Sequence, residues 1–139
     1  MRMSLPAIAC IAFLGGPALA AGPVTFTTML SGPAEVPPAP ATGHGTASIS
    51  IDTTKGQLCY ELSATGTDTP TMAHVHKGAA GIAGPVVVAL DPPAQGSSKG
   101  CATAPADALA AILAEPSSYY VNVHTAKYPK GAMRGQLGK

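Results

Sequence analysis

The sequence predicts an all-β fold, an antiparallel Greek-key β-sandwich or partly open barrel of about seven to eight short strands with one short helix. Two observations predict it. Segments rich in Val, Ile, Thr and Tyr, many of them alternating apolar with polar, recur between turns drawn from 16 Gly and 14 Pro. Only one stretch carries a helical spacing of apolar residues.

The elements follow in order. "VTFTTML" (24–30) is β-branched and alternating. "SGPAEVPPAPATG" (31–43) holds four prolines and reads as an extended loop or irregular edge. "HGTASISID" (44–52) puts Ala47, Ile49 and Ile51 on one face, and the turn "TTKG" leads into "QLCYELSA" (57–64), so the two strands form a hairpin. "MAHVH" (72–76) is the next strand, "KGAAGIAG" (77–84) a glycine-rich connector, and "PVVVAL" (85–90) a strand buried in the core. A helix from Thr103 or Ala104 to Ala114 aligns Leu109, Ile112 and Leu113, with Pro116 as its stop. "YYVNVHT" (119–125) and "GAMRGQL" (131–137) complete the set of strands.

The first twenty residues stand apart from this pattern. Arg2, an apolar middle and the small-residue end Ala18-Leu19-Ala20 make the three parts of a secretory signal peptide, cleaved before Ala21. The apolar run is interrupted by Pro6, Gly15, Gly16 and Pro17 and is too short to span a bilayer. The expected product, residues 21–139, is periplasmic or secreted and has no stable membrane insertion after processing. The whole chain has eight Lys/Arg and seven Asp/Glu; removing Arg2 leaves seven of each. That balance gives no basic footprint for nucleic acid. Cys59 and Cys101 are the cysteines of the processed chain. In an exported protein such a pair forms a disulfide. It closes a loop of about 43 residues, worth roughly 4 kcal/mol on the chain-entropy model.

The histidines carry the chemistry. Alternation along a strand puts Met72, His74 and His76 on one side and Ala73 and Val75 on the other. In 119–125, Val121 and Val123 take the apolar side, leaving Tyr120, Asn122 and His124 on the opposite one. If the two strands are neighbours, His74, His76 and His124 converge on the outer wall of the sandwich. Three neutral imidazoles suit copper, with iron or zinc as alternatives, one ion per chain. His44 is either a fourth ligand or a turn residue between Gly43 and Gly45. Tyr120 and Asn122 are candidates to support the ligands from behind. Met72 offers a thioether, or fills a gap in the packing. Glu35, in the loop before His44, is either within reach of the site or a solvated carboxylate. Arg134 shares a face with Ala132 and Gln136; it is a solvated charge, or a forked donor for an anion near the metal. "GAAGIAG" precedes a strand rather than a helix, so it lacks the context of a dinucleotide-binding loop.

"LSGPAEVPP", "AHVHKGAAGIAGPVVVAL" and "YYVNVHTAKYPKGAMRGQL" closely resemble the CHRD domain, found in chordin and in single-domain bacterial exported proteins. The resemblance spans about residues 24 to 137 and implies the fold more than an activity. A looser likeness is to Cu/Zn superoxide dismutase, an eight-stranded Greek-key sandwich. In that comparison His74 and His76 match a pair of copper ligands, His124 a later one, and Arg134 the arginine that guides superoxide. No bridging histidine or zinc-loop ligand set is present, so the likeness implies a single-metal version. Four functions follow from these readings. They are a redox centre acting on a small anion such as superoxide, an envelope copper carrier serving a metal-donor or acceptor protein, a hydrolytic zinc site, and an interaction module without metal chemistry.

Overall fold

The computed structural model describes residues 21–138; the expected signal peptide, 1–20, lies outside them. Eight antiparallel strands are hydrogen-bonded in the order β5-β4-β7-β8-β1-β2-β3-β6. They run β1 Val24–Ser31, β2 His44–Asp52, β3 Gln57–Thr65, β4 Pro70–Lys77, β5 Val86–Leu90, β6 Ser97–Thr103, β7 Tyr119–Thr125 and β8 Met133–Gln136. A helix, α1 (Ala106–Ala114), lies between β6 and β7. The edge strands β5 and β6 also pack together, so the sheet closes almost completely into a barrel. β3, β6, β5 and β4 then follow one another around the wall, which is a Greek key. One register pair, Ser31 with Arg134, joins β1 to β8. The barrel therefore divides into a β1-β2-β3-β6 half and a β5-β4-β7-β8 half.

Alternation places the core. Ile49, Ile51, Leu58 and Leu62 from one half meet Val75, Val121, Val123 and Met133 from the other, all essentially without solvent contact. α1 adds Leu109 and Ile112 to this core. Burying side chains of this size is worth roughly 1.5–3 kcal/mol each, and that term holds the two halves together.

Two details differ from the sequence reading. "SSKGCAT" forms β6, paired along its length with β3, although it shows no apolar alternation. Every residue of β6 is exposed or half-exposed, so its placement comes from the backbone ladder and from the disulfide. Cys59 and Cys101 are directly opposite in that ladder and are bonded. Because Thr103 belongs to β6 and Pro105 takes the N-cap position, α1 begins only at Ala106. Among the described residues no helix is long and apolar enough to cross a membrane.

Candidate metal centre

The expected pairing of the two histidine strands is present. β4 and β7 run antiparallel with Met72 opposite His124, His74 opposite Asn122, and His76 opposite Tyr120. This register places His124 diagonally across from His74. One nitrogen from each of His74, His76 and His124 lies within 4.8 Å of the other two.

The hydrogen bonds assign the free nitrogens. His76 Nδ1–H donates to the Gly84 carbonyl at 2.8 Å, and His124 Nδ1–H donates to the Pro129 carbonyl at 3.1 Å. Both rings therefore present a bare Nε2 to the shared space, the arrangement that backbone carbonyls impose on metal-binding histidines. His76 Nε2 is buried and has no partner. His124 Nε2 accepts a hydrogen bond from His74 Nδ1–H at 3.1 Å. Two donors that far apart can both touch an ion at about 2.0–2.1 Å, subtending about 100°. This pair of donors fits a small divalent or cuprous ion, and His76 brings a third nitrogen within 4.8 Å of them.

The electrostatics keep all three rings neutral. Burial is the main cause for His74, reinforced by the His124 and His76 charges, and takes it down to about 4. Burial lowers His76 too; the Gly84 hydrogen bond works against this and the Arg134 charge adds to it. His124 is lowered by burial, against its bond to Pro129, with His76 adding to the effect. A proton is therefore a weak competitor for these lone pairs at neutral pH.

The face that the sequence reading assigned to the outer wall is closed to solvent except at its Met72 and His74 end. His76 is 8% exposed and His124 6%, while His74 is half-buried. Two loops reach the histidines and a third covers the neighbouring part of the same face, over Asn122. The glycine-rich segment after β4 supplies Gly84, and the 126–132 connection supplies Pro129. The proline-rich loop after β1 folds on itself through Gly32 N–H to Gly43 O and Ala39 N–H to Gly32 O, and carries Glu35 inward. β7 is consequently buried on both of its faces.

The supporting residues are tied into this cover. Tyr120 lies flat against His76, with centroids 4.9 Å apart and planes 7° apart, and its hydroxyl accepts the Gly84 N–H. Asn122 Nδ2–H reaches Glu35 Oε2 at 3.4 Å. Glu35 is 3% exposed, a correction to its reading as a solvated carboxylate. Burial raises its carboxyl to about 7, against the Arg134 charge and the hydrogen bonds from Asn122 and the Val36 N–H. Its Oε1 and Asn122 Oδ1 are both buried without a donor; a neutral carboxyl brings one proton to this donor-poor pair.

Two expected site residues lie elsewhere or are occupied. His44 begins β2, three strands along from β7, about 14 Å at the usual strand spacing. It is exposed, bonded to the Thr42 carbonyl and the Thr65 hydroxyl, so the fourth-ligand alternative fails. Arg134 is 2% exposed, not a solvated charge. Its guanidinium donates to the Ile82 and Ala79 carbonyls and to Gln136 Oε1, so it does not offer a free fork to an incoming anion. Met72 is exposed at the rim of the site. The carbonyls of Gly84 and Pro129 went unread in the sequence, because main-chain acceptors carry no residue signature.

No curated protein and no solved structure gives a significant match to this chain. The family comparison does: the CHRD domain matches residues 26–137. That span contains every strand from β2 to β8, all three converging histidines, the loops that cover them and the disulfide, and so the chain belongs to the CHRD domain family.

Proposed function

We propose that the protein is an exported metal-binding CHRD protein that holds one ion on His74, His76 and His124, copper ahead of iron or zinc. The observation that carries this reading is the set of three neutral imidazoles with one nitrogen of each within 4.8 Å of the others, two of them with the remaining N–H fixed on backbone carbonyls. All-nitrogen donors favour copper in the order of divalent affinities. Capture of the ion requires His74 to give up its Nδ1 proton from the bond to His124, moving it to Nε2 by way of solvent. Three protein ligands leave a coordination position for a small anionic substrate such as superoxide. A redox-active ion there would supply the one-electron exchange needed for dismutation.

An envelope copper carrier, loading from or unloading to a donor or acceptor protein, is the second reading. It is favoured by Met72, an exposed thioether directly opposite His124 in the β4–β7 register and suited to cuprous copper. Arg134 also favours it, since its donors are spent on the loop.

The test is metal content after purification from the native compartment, beside a His74→Ala/His76→Ala/His124→Ala variant. Near-stoichiometric copper or iron in the wild type, absent from the variant, is expected; superoxide removal and copper exchange to a chelator then separate the two readings. No metal in either, with no thermal shift on adding copper, iron or zinc, would leave an interaction module.

A further inference from the structure

The geometry points to Arg134 as a positioning residue that fixes His76 in the tautomer able to bind metal, acting through Tyr120 and the 78–84 loop. The inference deepens the metal reading above and names a residue that no ligand list would include. β7 lies between β4 and β8, so His76 and Arg134 reach Tyr120 from opposite sides. Arg134 Cζ sits 3.6 Å from the Tyr120 ring centroid, and His76 stacks in parallel on that ring. The three planar groups form a stack whose outer member is buried and charged.

The same guanidinium holds the loop. Its Nη1–H donates to the Ile82 carbonyl at 3.0 Å and its Nη2–H to the Ala79 carbonyl at 3.3 Å. Gln136, which accepts a third bond from Arg134, itself donates to the Gly78 carbonyl. Two residues beyond Ile82, Gly84 makes both contacts that matter at the site. Its carbonyl takes the His76 Nδ1 proton and its N–H binds the Tyr120 hydroxyl. If the loop lifts, Nδ1–H loses its acceptor, and the proton is free to move to Nε2. A protonated Nε2 is no ligand.

Arginine suits this task and lysine does not. The planar fork reaches carbonyls in several directions while its face lies on the tyrosine; an ammonium has no such plane. Ring stacking with a desolvated guanidinium adds to the hold on the loop.

The experiment reads the ring nitrogens of each histidine by 15N NMR in the metal-free wild type, in Arg134→Lys and in Tyr120→Phe, followed by zinc titration. The wild type is expected to carry the His76 proton on Nδ1. In Arg134→Lys that proton shifts wholly or partly to Nε2 while His124 keeps its Nδ1 proton, and zinc affinity falls about 10–100-fold, as for other residues that orient a ligand. Tyr120→Phe, which keeps the ring and deletes the acceptor for Gly84 N–H, shifts His76 in the same direction by less. A folded Arg134→Lys with an unchanged His76 tautomer and zinc affinity within twofold of wild type overturns the proposal. If Arg134→Lys does not fold, Tyr120→Phe decides it, and an unchanged His76 there overturns it. Because the tautomer is read without metal, a wild type that binds no zinc, and no copper or iron in the test above, defeats the metal reading and leaves this one standing on the NMR result.

Discussion

The two halves of the barrel treat their outward side chains in opposite ways. On β1, β2, β3 and β6, the alternation sends Thr27, Thr46, Ser48, Glu61 and Lys99 outward, and all are exposed or half-exposed. On β7 and β8 the same alternation sends out Tyr120, Asn122, His124 and Arg134, and all are buried, as is His76 on β4, where His74 is half-buried and Met72 at the rim is exposed. Water satisfies the polar groups of the first half. Those of the second must find partners inside the protein, because an unpaired buried donor or acceptor costs about 1–3 kcal/mol. Among the described residues, the buried side-chain atoms without partners are Glu35 Oε1, His76 Nε2 and Asn122 Oδ1. Two belong to the covered half, and the third reaches it from the loop above. A fold built for stability alone would leave that face in water, so the covering loops mark where this protein accepts a cost.

The sharpest way to separate the halves is to break the disulfide. Cys59→Ser with Cys101→Ser is expected to cost about 4 kcal/mol in urea unfolding. Metal uptake by the surviving folded protein stays unchanged, because the bridge lies in the half remote from the histidines. Loss of metal binding in that variant would show that the halves do not act separately.

Next in size is the pH dependence of Glu35. Its folded value, about 7, lies above its ordinary 4.5, so the folded state holds the proton across that window. Its contribution is fully present below about 4.5 and is lost as pH rises through 7, a fall of roughly 3 kcal/mol if complete. Glu35→Gln removes that slope and makes the protein more stable than wild type at pH 8. The histidines tilt the curve the other way. Their folded values lie below 6.5, with His74 at about 4, so their contribution is present above 6.5 and is lost as pH falls towards 4. Urea unfolding at pH 4.5, 6 and 8 for both proteins checks the signs. A Glu35→Gln variant that keeps the wild-type slope would mean that the carboxyl is ionised in the fold.

The smallest effect is a matched pair of outward residues. Asn122→Ala removes a buried amide and the donor to Glu35, with an expected loss of about 1–3 kcal/mol. Ser48→Ala, on the open half, is expected to change stability by less than about 0.5 kcal/mol. Equal losses would erase the distinction between the faces.

Much of this was legible beforehand. Ala47, Ile49 and Ile51, and Val121 with Val123, fix the inward faces by alternation alone, and alternation also groups His74, His76 and His124. β6 was not legible, since Ser97, Ser98, Lys99 and Gly100 bury nothing that would signal a strand. The burial of Glu35 and Arg134 was not legible either. It depends on where the Gly- and Pro-rich loops travel, and backbone bonds such as Gly32 N–H to Gly43 O set those paths. Composition identifies such segments as loops and says nothing of the surface they cover.

The choice of main-chain carbonyls to hold His76 and His124 has a consequence for mutational tolerance. A carbonyl is common to all residue types, so position 129 can change its side chain and still accept the His124 proton. Position 84 has no such latitude, because a Cβ there would strike the Lys77 carbonyl. Two groups with the same duty therefore differ in the side chains they tolerate, for a steric reason unrelated to the hydrogen bond each accepts.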